Sequence, residues 1–264
     1  MITSMTNPKV KQVVLYNHKA RERRRDNVFL AEGIKMFAEA PLDWIQEVFL
    51  SERAMAKVES EPEISVKLES VRHELVSDEV MNKMADTETP QGVLTILKCP
   101  SYSEDELLKA PGGLFLVLED LQDPGNLGTI LRTGEGAGVT GIIMSKGCVD
   151  IFNPKTVRST MGSIYRVPFM ICDDLQEIMQ KMKNNGIKTY AAHLAGKDYY
   201  TDYSFKEATA FLIGNEGNGL SDDLTKQADC YVKIPMEGKL ESLNAAVATA
   251  LLVYEAKRQR TVKT

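Results

Sequence analysis

Three short stretches carry residue types able to do chemistry. The first, residues 119–133 (EDLQDPGNLGTILRT), sets Asn126 after a Pro-Gly turn, at a plausible helix N-cap, with Arg132 on the helix that follows. Arginine brings a permanent positive charge and a planar fork of donors, suited to an anionic oxygen. The second, residues 214–220 (GNEGNGL), places one carboxylate, Glu216, among glycines that let backbone approach a ligand closely. It lacks the Lys-Ser/Thr of a phosphate loop and Glu216 repels an anion, so a neutral or cationic ligand fits better. The third, residues 233–254, is a strand that turns at Pro235 and Gly238 into an apolar helix. Ser242 and Asn244 stand in its first turn, where free N–H groups and the positive dipole end gather.

Each stretch also has a plainer reading. Ser242 suits the N-cap of a core helix buried on nearly every side. Arg132, on a mostly apolar or small helix, suits an ion pair with Glu119 or Glu135. The glycine loop suits a flexible turn. His193 ends a strand beside these loops, although a lone histidine is more often structural.

Something must hold these stretches together, and the apolar pattern says what. Strands are expected at residues 114–118, 139–144, 167–171, 187–192, 210–213 and 231–234, with helices at 127–136, 154–161, 174–184, 222–226 and 242–260. Several strands are near-continuous apolar runs, which points to an α/β fold, a mainly parallel sheet with helices on both faces. Such sheets bind ligands beyond the carboxyl ends of their strands, where all three stretches fall. Before them lies a smaller α/β alternation. Asn7-Pro8 opens a helix whose far end is the basic ARERRR run, and strands follow at 28–30, 45–50, 64–68 and 93–97, with helical segments between. The expected division is a domain at 1–100, a polar, acidic linker at 101–112 and a domain at 113–264.

Composition narrows the function. The 264 residues carry a net charge of −5, yet Lys9, Lys11, Arg21, Arg23, Arg24 and Arg25 concentrate positive charge near one end. A single-sign cluster of that kind suits RNA phosphates, the alternative being a solvated helix face. The four cysteines and three histidines are scattered, with no CxxC or HExxH, so neither a disulfide framework nor a metal is expected. No apolar run is long enough to span a bilayer and no secretory leader is evident, so no membrane partner and a cytoplasmic location are expected. A strand–GxGxxG–helix unit is missing, which argues against a dinucleotide-dependent oxidoreductase.

Taken together and in this order, NLGTILRT, GNEGNGL and IPM…SLNAAVA make about residues 113–260 resemble the SpoU family, also called TrmH, of RNA 2′-O-methyltransferases in the SPOUT superfamily. The first half is similar, more loosely, to the ribosomal-protein-like α/β substrate-binding domain of members that act on ribosomal RNA, through NPKVK, the basic helix, FLAEG and TPQGVL. The resemblance implies a trefoil knot in the C-terminal domain, a homodimer whose sites draw on both subunits, and S-adenosyl-L-methionine as methyl donor to a ribose 2′-hydroxyl, most often of ribosomal RNA. It places Leu194, Gly214, Asn215, Glu216, Ile234, Met236, Ser242 and Leu243 around the cofactor. It gives Arg132, Asn126, Glu216, Ser242 and Asn244 as catalytic, with Arg132 either removing the hydroxyl proton or stabilising the developing alkoxide. An RNA-binding factor of the same fold without catalysis, or an enzyme acting on transfer RNA, is the alternative. Gly134 and Gly136 depart from the family, which more often has alanine and a larger residue there, and the overall acidity is less typical of an RNA enzyme.

Overall fold

The computed structural model describes every residue except 195, 197, 240, 241 and 262–264. The chain divides into two units, one of Met1–Pro100 with Asp150–Tyr165, the other of Ser101–Val149 with the chain from Arg166 onward.

The first unit runs α1 (Pro8–His18), α2 (Ala20–Asp26), β1 (Val28–Glu32), α3 (Ile34–Glu39), β2 (Ile45–Ser51), α4 (Glu52–Glu59), α5 (Pro62–Glu69), β3 (His73–Val76), α6 (Asp78–Met84) and β4 (Val93–Lys98). Its sheet has the order β1-β4-β2-β3, with β4 antiparallel to both neighbours and β2 parallel to β3. Strand alternation sorts side chains to two faces. Val28, Leu30 and Phe49 join Val10, Val13 and Met84 in one cluster, while Val48 and Leu50 join Phe37, Val58 and Leu68 in another.

Two expectations fail here for local reasons. Residues 64–68, expected as a strand, lie within α5, because Pro62 suits the first helical turn and Ile64 and Leu68, one turn apart, face the same cluster. The basic run is not the far end of the first helix. Lys19 is extended (φ −126°, ψ 102°) and starts a separate α2, which ends at left-handed Asn27.

The second unit runs α7 (Glu104–Leu108), β5 (Leu114–Leu118), α8 (Pro124–Ala137), β6 (Gly141–Ser145), β7 (Phe169–Cys172), α10 (Leu175–Asn184), β8 (Lys188–Ala192), β9 (Asp198–Tyr199), β10 (Thr209–Ile213), α11 (Asp222–Gln227), β11 (Cys230–Lys233) and α12 (Ala245–Thr261), α9 (Pro154–Thr160) belonging to the first unit. The seven strands are all parallel, in the order β7-β6-β5-β10-β8-β11-β9. Phe115, Val117 and Leu212 face a core shared with α7, α10 and α11, and α8 and α12 pack together, with α12 also against β10. All five residues of β5 and of β10 are buried, as a sheet covered on both sides requires. The 101–112 segment carries α7, whose Leu107 and Leu108 are buried in this core.

Asp150–Tyr165 completes the first unit instead of the second. Phe152 stacks on Phe29 with ring centroids 5.0 Å apart, and the Tyr165 hydroxyl donates to Met36 O at 3.1 Å. Arg23, only 4% exposed, donates to Tyr16 O at 2.5 Å and pairs with Asp150 at 2.5 Å. A buried guanidinium so held is structural, which corrects its expected place among the RNA contacts. Arg23→Ala should cost about 2–4 kcal/mol, because it strands a carbonyl and a largely buried carboxylate. Arg24→Ala, on the exposed side, should change stability by less than about 0.5 kcal/mol. Urea denaturation of both variants checks the contrast.

Candidate active site

The carboxyl ends of β5 and β10 emerge side by side, since the two strands pair in register up to Leu118 and Ile213. Their loops are sewn together by side chains. Glu119 accepts from the Ser221 N–H and hydroxyl, both at 2.7 Å, and Asn215 Nδ2 donates to Asp120 O at 2.8 Å. The 214–219 loop closes on itself through paired Asn215 and Gly219 backbone bonds, while Asn215 Oδ1 accepts from Gly217 and Asn218 N–H. A Cβ on Gly214 would collide with the backbone of Gly219 and Leu220, so only glycine fits there. The loop is pinned, which removes the flexible-turn reading.

Both helix caps differ from expectation. Asp123 caps α8, its Oδ1 accepting from Asn126 N–H at 2.7 Å. Asn126 therefore sits inside the first turn with its side chain free to reach sideways. Asn244 caps α12 through Oδ1, which accepts from Ala246 N–H at 2.9 Å and Val247 N–H at 3.3 Å, so the helix starts at Ala245 and not at Ser242. Exposed Ser242 is left lining a cavity.

Glu216 joins these pieces. Its carboxylate accepts from Gln122 N–H at 2.9 Å, Asp123 N–H at 3.0 Å and Asn126 Nδ2 at 3.0 Å. Asn126 Oδ1 in turn accepts from Asn244 Nδ2 at 2.9 Å. Burial pushes the Glu216 carboxyl up, but the donors from Asn126, Gln122 and Asp123 outweigh it and hold the group below its ordinary value.

Two cavities flank this network. One of about 390 Å³ is walled by Leu194, Gly214, Asn215 and Glu216 on one side and Ile234, Met236, Ser242 and Leu243 on the other, together all eight residues expected around a cofactor. Its further walls include apolar Val232, Ala245 and Ala248 and polar Asn218 and Lys233, and His193 also faces it, with its ring 5.7 Å from that of Tyr231. The other cavity, about 630 Å³, lies between α8 and α12 and is lined by Asn126, Thr129, Thr133, Asn244, Val247 and Leu251, among others. Sequence reasoning missed this second cavity. Its signal was there as a helical stripe, 126, 129 and 133 on α8 and 247, 251 and 254 on α12.

Arg132 is not gathered with the other four residues expected to be catalytic. It is exposed, lines neither cavity, and makes no hydrogen bond or ion pair among the described residues. Its two expected partners are engaged elsewhere, Glu119 with Ser221 and Glu135 with Arg166. The apolar face of α12 also differs from expectation, since Val247, Leu251 and Tyr254 are 49%, 38% and 49% exposed.

In the first unit, Lys9 is held by Glu47 at 2.6 Å and Glu74 at 2.5 Å, and Arg25 by Glu22 and Asp26 at 2.6 and 2.8 Å. Of the six basic residues expected to meet RNA, Lys11, Arg21 and Arg24 are exposed without an ion pair among the described residues. Among those residues no group of His, Cys, Asp and Glu could hold a metal ion, and no helix is long and apolar enough to cross a membrane.

Residues 113–254 match the SpoU rRNA methylase family, and residues 7–95 match the MRM3-like substrate binding domain. The 23S rRNA (guanosine(2553)-2′-O)-methyltransferase of Bacillus subtilis is 34% identical over 257 residues, covering 96% of this chain and 97% of its own. The 23S rRNA (uridine(2479)-2′-O)-methyltransferase of Streptomyces viridochromogenes is 30% identical, covering 94% and 88%. An AdoMet-bound rRNA methyltransferase from Sinorhizobium meliloti superposes with a TM-score of 0.87 at 31% identity, covering 97% of each chain.

The depressed Glu216 carboxyl predicts how stability depends on pH. A folded-state value below the unfolded one contributes stability that is present above the ordinary carboxylate value, 4.5, and lost as pH falls through the lowered one. The stability gap between the unaltered protein and Glu216→Gln should therefore be widest near neutral pH and close in acid. Urea denaturation of both at neutral and acidic pH measures it.

Proposed function

Because the chain belongs to the SpoU rRNA methylase family, we propose that it transfers a methyl group from S-adenosyl-L-methionine to a ribose 2′-hydroxyl of ribosomal RNA, in the cytoplasm. The observation that carries this is the convergence of all eight expected cofactor residues on one cavity, beside the Glu216–Asn126–Asn244 network. The cavity suits this ligand by its own chemistry. Its apolar walls and glycine backbone fit an adenosyl group, and a carboxylate in place of a phosphate cradle fits a ligand with a positive charge and no phosphate. When bound, the cofactor supplies a methyl group made electrophilic by its sulfonium.

The chain's own residues then have separate tasks. The 214–219 loop and the Ile234–Met236 end hold the adenosyl group through backbone and apolar contact. Asn126 and Asn244 organise the neighbouring space, with Glu216 fixing them. The Arg132 guanidinium stabilises the oxyanion that develops as the 2′-hydroxyl proton passes to solvent. In the first unit, Lys11, Arg21 and Arg24 contact RNA phosphates, whereas Lys9, Arg23 and Arg25 have their charge met within the chain.

The site also supports a homodimer, with the C-terminal segment threaded as in the family. Val247, Leu251 and Tyr254 form one exposed apolar stripe on α12, and exposed apolar surface of that kind marks an interface. Arg132 has no hydrogen bond or ion pair among the described residues, and a second copy would complete its surroundings.

Transfer of labelled methyl from S-adenosyl-L-methionine to unmodified ribosomal RNA transcripts tests the reaction. Activity on transfer RNA alone would move the substrate class, and transfer to neither would refute the reading. Arg132→Ala should lower kcat about 10²–10³-fold while leaving cofactor affinity unchanged. Sedimentation equilibrium should find a dimer, and Leu251→Asp should give a folded monomer by circular dichroism; a monomeric unaltered protein sinks the dimer.

A further inference from the structure

The hydrogen bonds around Asn126 have a direction. Backbone N–H groups can only donate, so Asn244 meets Ala246 and Val247 with its Oδ1 and turns Nδ2 toward Asn126. At the other end an ionised carboxylate can only accept, so Asn126 turns its own Nδ2 to Glu216 and its Oδ1 to Asn244. Neither amide can be reversed without setting donor against donor at the helix end or acceptor against acceptor at the carboxylate. Oxygen and nitrogen of both amides are thereby assigned by chemistry.

This polarity leaves a particular surplus. An amide nitrogen carries two N–H groups, and Asn126 and Asn244 each use one, the other having no acceptor among the described residues. Both side chains line the cavity of about 630 Å³ between α8 and α12, at its end nearest the start of both helices, whereas Leu251 and Tyr254, which the proposed dimer covers, line it further along α12. Glu216, by contrast, is saturated. Three N–H donors occupy its two oxygens and keep it ionised, so it is poorly placed to take a proton from a substrate.

We propose that Glu216 is a positioning residue that sets this polarity, and that the spare N–H groups of Asn126 and Asn244 form a donor pair receiving a phosphate oxygen of the RNA beside the ribose to be methylated. A phosphate fits better than the reacting 2′-oxygen. An N–H donated to the nucleophile would occupy a lone pair that the attack needs, whereas a phosphate oxygen has lone pairs to spare. Amide side chains are among the usual partners of phosphate oxygens, which fix register and orientation without reading sequence. The proposal rests on the RNA methyltransferase reading.

The test exchanges donor and acceptor. Asn126→Asp sets a carboxylate against Glu216 and should lower the melting temperature. Adding Glu216→Gln restores the pairing with position 126, because a glutamine nitrogen in place of Oε1 can donate to the carboxylate now there, which still accepts from Asn244. The glutamine oxygen keeps the Gln122 N–H, and only the Asp123 N–H, which also met Oε1, loses its acceptor. Net charge is unchanged, but position 126 no longer offers an N–H to the cavity. Because Glu216 also lines the cofactor cavity, RNA affinity is compared at saturating S-adenosyl-L-methionine. The double variant should recover part of the melting temperature lost in Asn126→Asp. Its dissociation constant for an unmodified ribosomal RNA transcript should stay raised by about tenfold or more.

In Glu216→Gln alone, the pH–rate profile should keep its shape while its amplitude falls. Loss of the acidic limb would make Glu216 the base and overturn its positioning role. Failure of the double variant to regain thermal stability would overturn the polarity. Unchanged RNA affinity with kcat restored would overturn the donor pair, and unchanged RNA affinity with kcat still lost would move its contact from phosphate to the reacting oxygen. Transfer by the unaltered protein is measured first. Its absence would refute the methyltransferase reading, leaving the thermal comparison to judge the polarity separately.

Discussion

One carboxylate governs the candidate site. Two neighbouring parallel strands end together, and the loop after β5 turns two backbone N–H groups toward the loop after β10. Glu216 accepts from both and from Asn126. Charge-assisted hydrogen bonds are roughly twice as strong as neutral ones, so a single ionised side chain can hold the loop after β5, the start of α8 and the glycine loop as one body. Through Asn126 the same restraint reaches Asn244, and through that cap it reaches α12. Remove the carboxylate and the cap, the loop and the wall between the two cavities lose a common anchor.

The sheet makes that arrangement possible. Covered on both faces, it is a rigid floor from which loops project at fixed separation. Precision then comes from short-range stitches, Glu119 to Ser221 and Asn215 to Asp120 O, instead of from bulk packing. Gly214 matters for the same reason, since the loop can fold back on Gly219 only where no side chain stands.

Charge in the first unit follows a different logic. Of six basic residues concentrated near one end, three have their charge met by acidic side chains, and Arg23 is buried as well. An acidic protein can thus carry a basic helix whose positive charge is partly structural. What remains exposed and without an ion pair among the described residues is a narrower set, Lys11, Arg21 and Arg24.

The sequence alone determined the class of fold and singled out the loops of the candidate site. Near-continuous apolar runs of about five residues favour strands buried on both faces, and the glycines, Asn126, Glu216, Ser242 and Asn244 stood out by type and spacing. Local pattern misled where a short apolar run had two readings, as at 64–68, and where one cap competed with another, as Asp123 did with Asn126 and Asn244 with Ser242. Periodicity had no means of showing that residues 150–165 complete the first unit, that Arg23 is buried, or that one side of the last helix stays uncovered. Those outcomes depend on which surfaces meet after the chain has crossed itself at long range. A one-dimensional pattern records how strongly a residue prefers burial or a hydrogen bond, but the partner that meets the preference is chosen only in three dimensions.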